Sequence, residues 1–338
     1  MFQGYRVVCV TPAGRRRYME LLVPQVLACG LVDRYDIWMN TDHPADRKFL
    51  DSLAKLDRVR LVPHPDRTAP GTEAIGGFHR TAMDADTIYI RLDDDVVWLE
   101  PGFFDTLLRF RVAHPDYFLV MPLIVNNALC SHLLQTMGKI TVSHVLNTAC
   151  FDPVGWRSAR FALQLHRLLL DLIRSGVTDR LHCGAHVVAL NRFSINSICW
   201  FGRDLASFGG VVGVEEELEM SAVIPARLGK VNCFCADTVA AHFAFFSQRA
   251  KLDEAGILEQ YTEVLTGRSE LRALLEEVGA LRRAADTAET ILPQAQGGFA
   301  PVRKPSLLHR WLGRRPEPDH VARAQKVELS PGPGLLLP

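Results

Sequence analysis

Length, composition and charge limit the classes of protein to which this chain can belong. It has 338 residues, 48% of them hydrophobic and 22% charged, so one large domain with appendages is expected. Its 38 basic and 38 acidic residues cancel, which argues against a protein drawn to nucleic acid by its overall charge. No membrane-spanning run or signal pattern is present, and the eight scattered cysteines are typical of buried thiols in a reducing compartment, so we expect a cytoplasmic protein.

Strands and helices alternate over the first hundred residues. Apolar runs predict strands at 6–10, 35–40, 59–62 and 87–92, and helical spacing predicts helices at 18–28 and 44–56. This order predicts an α/β fold with a mainly parallel, Rossmann-type sheet flanked by helices. A loop rich in Pro, Gly and His at 63–77 is expected to form a mobile wall of a site.

Three arginines, Arg15 to Arg17, follow the first predicted strand. At the carboxyl end of a strand they suit a pyrophosphate, because Arg binds phosphate oxygens in bidentate fashion. Solvated residues at a helix start are an equal alternative.

Three consecutive carboxylates, Asp93, Asp94 and Asp95, stand between two apolar runs. Adjacent carboxylates repel one another and Asp is a poor strand or helix former, so propensity does not account for them. A hard divalent cation such as Mg²⁺ or Mn²⁺ would balance the cluster, and ligands of open α/β sheets gather at the carboxyl ends of strands. We therefore predict a metal site here, with a solvated acidic turn as the alternative.

The middle of the chain carries weaker signals. Residues 101–114 predict a helix and 117–121 a strand, after which the amides of Asn126 and Asn127 are expected to cap a helix rather than bind sugar hydroxyls. A helical insertion is predicted at about 141–190, with a strong amphipathic pattern at 157–175. Four histidines in this segment lack zinc-site spacing and are expected at the surface or in the core: His144, His166, His182 and His186.

A second acidic group, at 215–219, opens a run that is expected to be helical as far as Pro225. The helix dipole accounts for one or two carboxylates but not for four. Like-charge neighbours raise one another's pKa, which suits a general base. Further on, His242 stands in a strand-like stretch, where on its own it would more often be a packed core imidazole than a ligand.

The order of these three signals resembles the metal-dependent glycosyltransferases of the GT-A fold, over about residues 4–250, and most closely bacterial members with three consecutive Asp. The family's Asp-x-Asp motif corresponds to Asp93–Asp95, which implies Asp95 as metal ligand and Asp93 facing the donor ribose. Its late His corresponds to His242, completing the metal shell. Its acidic motif corresponds to 214–218, which places the base at Glu215; Glu216 is the alternative, because Val214 replaces the family's first acid.

The resemblance implies an inverting transfer from a nucleotide sugar, UDP- or GDP-linked, to a carbohydrate or a lipid-linked glycan. Mn²⁺ or Mg²⁺ would stabilise the diphosphate leaving group, and a Glu would take the proton of the acceptor hydroxyl. The residues then expected to bind the donor are Thr11, Arg15, Asn40, Arg80, Asp93 and Asp94.

Two other classes share part of this pattern. A phosphatase of the haloacid-dehalogenase type also has Asp-x-Asp after a strand, but on its first strand, whereas about three strands precede Asp93 here. A non-catalytic nucleotide-sugar binding protein would have no use for a base.

The end of the chain differs in composition. Residues 251–290 predict a helical extension of the transferase domain at 1–250. Residues 291–338 are rich in Pro, Gly and Arg and are expected to be disordered, with peripheral contact to the inner membrane face as the alternative.

Overall fold

A nine-stranded sheet forms the centre of the protein, whose computed structural model describes residues 1–291, 327–333 and 335. Its first half is parallel, in the order β3-β2-β1-β4, and comprises β1 (Arg6–Ala13), β2 (Arg34–Met39), β3 (Val59–Val62) and β4 (Thr87–Leu92). The connections between these strands contain α1 (Arg16–Leu27), α2 (Pro44–Leu53) and α3 (Ile75–Phe78). The alternation expected from the sequence is confirmed here.

The second half of the sheet is mixed, in the order β9-β6-β10-β5, with β8 also on β10. Two of its strands run in the same direction as the first four, β6 (Val120–Val125) and β10 (Asn232–His242). Three run the other way, β5 (Val96–Leu99), β8 (Ala185–Val188) and β9 (Ser197–Phe201). Because six of nine strands share one direction, the predicted α/β fold with a mainly parallel sheet is confirmed.

Both faces of the sheet are buried. Alternate residues of one strand enter different cores: Trp38 lies in one apolar cluster and Ile37 in the other. Such strands read as continuous apolar runs, which is why the sequence showed them clearly. Two helices help to cover the sheet: α4 (Phe103–Ala113), which falls within the expected 101–114, and α5 (Ala128–Thr136), whose first turn Asn127 caps by accepting from Leu129 N and Cys130 N. The capping prediction is therefore confirmed for Asn127 and wrong for Asn126, whose side-chain amide donates to the carbonyl oxygen of Phe243 and to Gln248 Oε1.

The segment at about 141–190 contains one long helix, α6 (Ala159–Ser175), which starts at the cap Ser158 and ends at Gly176 in the left-handed region. The rest of the segment is β7 (Ile140–Val142), β8, a short 3₁₀ turn and loops. It is therefore less helical than expected, because the amphipathic pattern that supported the prediction is confined to α6.

After β9, α7 (Gly202–Ala206) leads to a broken helix that carries the acidic group. The helix begins with α8 (Glu216–Leu218), continues as a π-helical turn over Glu219–Val223 and ends as α9 (Ile224–Leu228). Pro225 stands in the first turn of α9, where a missing N–H is tolerated, so the helix continues beyond the residue at which we expected it to end.

The C-terminal extension is helical as expected, with α10 (Arg249–Glu254), α11 (Ile257–Thr266) and α12 (Arg272–Ile291). Near the end of the chain, β11 (Leu329–Pro331) pairs with β7. The rest of the predicted tail, at 292–326, 334 and 336–338, lies outside the described residues. All eight cysteines are free, six of them buried and two half-buried, which confirms the expected buried thiols. None of the helices within the described residues has the length and hydropathy that a membrane crossing requires.

Candidate active site

A cleft of about 570 Å³ opens where β1, β2 and β4 end. One wall contains residues that follow these strands, including Gly14, Arg15, Asn40, Asp93 and Asp94. The facing wall contains three acids of the broken helix and its approach, Glu215, Glu216 and Glu217. The chain thus brings both acidic groups to the edge at which open α/β sheets bind ligands.

Asp94 is held from two sides by the turn after β1. The backbone N–H of Gly14 donates to Asp94 Oδ2 over 2.8 Å, and Arg15 Nε donates to Asp94 Oδ1 over 2.9 Å. Gly14 suits this position because a Cβ there would lie 3.2 Å from the backbone oxygen of Asn40. Burial raises the pKa of Asp94, and Arg15 opposes that rise.

Asp95 meets three cationic groups. Its Oδ2 lies 2.7 Å from Arg15 Nη1, 3.4 Å from His242 Nε2 and 3.8 Å from Arg249 Nη2. Burial would raise the pKa of Asp95, but His242 and Arg15 outweigh it and hold that pKa well below its usual range. The carboxylate therefore stays ionised.

The His242 ring is oriented by the backbone. Its Nδ1 lies 3.0 Å from the carbonyl oxygen of Asn126, a contact that requires Nδ1–H as the donor and leaves Nε2 facing Asp95. Burial lowers the pKa of His242, while Asp95 outweighs it, so the pKa is raised overall. His242 and Asp95 belong to adjoining segments, since β10 pairs with β5 and Phe243 N donates to Asp95 O over 2.8 Å.

Asp93 and Glu216 share the buried guanidinium of Arg91. Arg91 Nη2 donates to Asp93 Oδ1 over 2.7 Å and Arg91 Nη1 donates to Glu216 Oε1, which also lies 2.6 Å from His79 Nε2. Burial raises the pKa of Asp93 to about 6 despite Arg91. Burial would raise the pKa of Glu216 too, but Arg91 and His79 outweigh it and lower that pKa to about 2. Glu216 is therefore an ionised structural partner and a weak base.

The other two acids of this wall contact Arg192. Its Nη1 lies 3.1 Å from Glu215 Oε2 and its Nε lies 3.6 Å from Glu217 Oε2. The Glu215 side chain is half exposed and reaches the cleft. Burial raises the pKa of Glu217, and Arg192 opposes that rise. Both carboxylates can accept a proton from a molecule in the cleft.

Two residues of the expected donor set lie away from the cleft. Thr11 is fully buried in β1, and its hydroxyl is 2.9 Å from the Tyr35 hydroxyl. Arg80 pairs with Asp66 instead of reaching the cleft walls. Asn40 does line the cleft, where its side chain binds the backbone of Gly71 through both its amide nitrogen and its oxygen.

Several partners of the acids were not identified from the sequence. Arg91 could have been, because a charge inside a buried strand needs a partner. His79, Arg192 and Arg249 carry no such signal, since each meets its carboxylate only through the fold. The same holds for Asn196, whose side-chain amide donates to Asp93 Oδ2 over 3.3 Å.

The donor chemistry fits a divalent cation at Asp95 and His242. Carboxylate oxygen and imidazole suit Mn²⁺, and a backbone-bound Nδ1–H is typical of a histidine that binds metal through Nε2. Within the described part of the chain, no group of three or more His, Cys, Asp and Glu side chains is arranged to hold a metal ion. Protein would thus supply few of the ligands, as is usual where substrate phosphates and water complete the shell.

Comparisons with known proteins return structures only. No protein-family model and no curated protein matches the chain. A mycobacterial protein matches with a TM-score of 0.43 and 16% identity, over 78% of this chain and 74% of that one. Glucosyl-3-phosphoglycerate synthase from Mycobacterium tuberculosis, in complex with Mn²⁺, UDP-glucose and phosphoglyceric acid, matches with a TM-score of 0.44 and 16% identity, over 79% and 80% of the two chains. Similarity of this size does not assign the chain to a family.

Proposed function

We propose that this protein is a glycosyltransferase that moves a sugar from a UDP- or GDP-linked donor to an acceptor hydroxyl, with inversion at the anomeric carbon. The observation that carries the proposal is that one cleft joins the carboxylates at the end of β4 to a second, facing acidic group. The first group suits a cation and a diphosphate, and the second suits a general base.

Donor binding is assigned to the wall formed by the strand ends. Arg15 and Asn40 would contact the nucleotide diphosphate, with Asp93 and Asp94 beside it. Mn²⁺ or Mg²⁺ at Asp95 and His242 would, when bound, stabilise negative charge on the leaving group. Thr11 and Arg80 are left out of this assignment, because the Thr11 hydroxyl is buried against Tyr35 and Arg80 pairs with Asp66.

The base is assigned to Glu215. Glu216 is fixed as an anion between Arg91 and His79 and has a pKa of about 2, so it accepts a proton poorly at neutral pH. Glu215 is half exposed at the cleft, where it pairs with Arg192. Glu217 is the residue to test beside it, because burial raises its pKa.

The acceptor is assigned to the same end of the cleft as Glu215. Phe151 lies under the Arg192 guanidinium that pairs with Glu215, and it continues through Trp156 to Phe245 along the cleft, with ring centroids 5.1 Å apart for the first two rings and 6.1 Å apart for the last two. An aromatic wall beside a carboxylate suits a carbohydrate or a lipid-linked glycan, and unpaired cysteines support action in the cytoplasm.

The test is the binding of UDP- and GDP-linked sugars with and without Mn²⁺, measured by thermal shift on the wild type, Asp95→Ala and the exposed control Asp171→Ala. We expect one nucleotide to stabilise the wild type and the control in a metal-dependent manner, and the effect to be lost in Asp95→Ala. Release of nucleoside diphosphate should then fall at least about a hundredfold in Glu215→Gln. Binding of no nucleotide, or release of inorganic phosphate alone, would contradict the proposal.

A further inference from the structure

Arg15 lies on the carboxylates that the proposed metal site would use. Its Nε donates to Asp94 Oδ1 over 2.9 Å, and its Nη1 lies 2.7 Å from Asp95 Oδ2. That same Oδ2 atom faces His242 Nε2 at 3.4 Å. The oxygen that would share a cation with His242 is therefore the oxygen to which Arg15 is bound.

We propose that Arg15 is an internal competitor of the divalent cation, so that the guanidinium and the metal exclude each other at Asp94 and Asp95. The inference rests on the metal site of the proposed function. A cation coordinated at about 2.1 Å by Asp95 Oδ2 would crowd the Arg15 guanidinium, whose Nη1 lies only 2.7 Å from the same oxygen, and like charges this close repel strongly in a poorly hydrated site. Metal binding consequently requires Arg15 to leave, and the loss of its ion pairs lowers the affinity of the protein for the metal.

The surroundings allow Arg15 to move without the backbone. Asp94 keeps the hydrogen bond from Gly14 N, over 2.8 Å, when Arg15 is gone. Asp95 keeps Arg249 at 3.8 Å. Arg15 itself stands just before α1, is about one-third exposed (32%) and lines the cleft. A rotamer change therefore carries the guanidinium into the space assigned to the donor diphosphate.

This exchange links metal binding to donor binding. In the absence of a donor, the guanidinium of a displaced Arg15 loses its ion pairs with Asp94 and Asp95 and is solvated by water instead. With a diphosphate present, Arg15 regains an anionic partner, so the diphosphate should raise the affinity for the metal, and the metal the affinity for the diphosphate. Arg15 would then make the protein bind the metal and the diphosphate together more tightly than it binds either of them alone.

The experiment measures Mn²⁺ binding from the electron paramagnetic resonance signal of free Mn²⁺, without nucleotide, for the wild type, Arg15→Gln and Arg17→Gln. Arg17→Gln is the matched control, because it removes one positive charge from the same turn but pairs with Asp253 instead of the acidic triplet. We expect Arg15→Gln to bind Mn²⁺ at least about tenfold more tightly than the wild type, and Arg17→Gln to bind as the wild type does. Adding Asp95→Asn to Arg15→Gln should remove the gain.

Equal affinity of the wild type and Arg15→Gln would overturn the competition and leave the proposed function standing. Absence of Mn²⁺ binding in every variant would overturn both. Should Arg15→Gln be too unstable without metal, its melting temperature with added Mn²⁺ decides: a rise larger than that of the wild type supports the competition, and an equal or smaller rise contradicts it. Arg15→Lys, which cannot bridge both carboxylates, should give the same direction with a smaller effect.

Discussion

At the level of single residues, Arg91 connects the two walls of the cleft. Its side chain is almost fully buried and lies against carboxylates that are far apart in the chain, Asp93 on the strand side and Glu216 at the start of α8. Removal of a buried guanidinium that is shared by two carboxylates destabilises the protein strongly, because each carboxylate is left as an unpaired charge in the interior. Arg91 therefore holds the two walls together through its ion pairs with Asp93 and Glu216.

Replacing Arg91 by Met, which keeps most of the stem volume, should lower the free energy of unfolding by about 3–5 kcal/mol. Denaturant unfolding measures the change. Arg109→Met is the control, because Arg109 pairs with Asp105 on the exposed face of α4 and its removal should leave unfolding unchanged within error. Similar small changes for both variants would show that the buried guanidinium contributes no more than a surface pair.

The sequence identified acids more readily than their partners. Asp93–Asp95 and Glu215–Glu217 stand out locally, as charge clusters beside apolar runs, and all but Asp95 line the cleft. Arg91 and Glu216 are 125 residues apart, so no local pattern could join them. The resemblance places Thr11 among the donor-binding residues, whereas the alternation of the strand directs its side chain to Tyr35.

At the level of elements, the segment that leads into the acidic helix packs against α3. A Cβ on Gly76 of α3 would lie 2.7 Å from the backbone oxygen of Gly213 and 2.8 Å from that of Val212. These two residues lead directly into Val214 and Glu215. The short helix therefore sets the position of the segment that delivers the proposed base, through backbone contact that only glycine permits.

Gly76→Ala should lower the free energy of unfolding by about 1–3 kcal/mol, because the Val212–Gly213 backbone must move away from the new methyl group. The sign is informative, since Ala in a helix would otherwise be favoured over Gly. Gly30→Ala is the control, because nothing lies within 4 Å of a Cβ there. Thermal or urea unfolding of both variants gives the comparison. Unchanged stability of Gly76→Ala would show that the Val212–Gly213 backbone moves without a measurable cost in free energy.

The same scale shows which parts of the fold could be predicted. The parallel half of the sheet follows from alternating strands and helices, because a parallel connection needs a crossover helix. The antiparallel β8 and β9 do not follow, since their pairing with β10 and β4 depends on segments distant in sequence. The helical insertion expected at about 141–190 extends too far, because one strong amphipathic helix, α6, dominates the pattern of a longer stretch.

At the level of the whole molecule, His166 joins α6 and α11 to the end of β10. It lies fully buried, with Nδ1 2.8 Å from the Tyr261 hydroxyl and Nε2 2.8 Å from the carbonyl oxygen of Phe243. The neutral ring satisfies both contacts, since Nε2–H donates to the carbonyl and Nδ1 accepts from the hydroxyl. Burial accordingly lowers the pKa of His166 to about 4.

This lowered pKa predicts a loss of stability in mild acid. The unfolded chain binds a proton at His166 near the ordinary value of 6.5, whereas the native protein does so only near 4. Between these values the unfolded state holds more protons, so the free energy of unfolding should fall by about 1.4 kcal/mol for each pH unit of acidification. The stability that the neutral His166 contributes is fully present above pH 6.5.

Unfolding of the wild type and His166→Gln across pH 4–7 isolates this contribution, because other titrating groups act equally in both proteins. The difference in stability between the two proteins should shrink steadily as the pH falls. A constant difference for His166→Gln would contradict a neutral native ring.

The π-helical turn at Glu219–Val223 has a consequence for how such a site can change by mutation. On its acidic side stand Glu216 and Glu217, and within or after it Met220 and Ile224 are fully buried. A π turn holds one residue more than an α turn, and each helical residue advances about 100° around the axis. Loss of a single residue from this turn would therefore restore α-helical spacing and keep the acids aligned with Ile224. A one-residue deletion in a regular α turn would instead rotate the acids by about 100° against their apolar anchor, so the π turn is the part of this helix that best tolerates a short deletion.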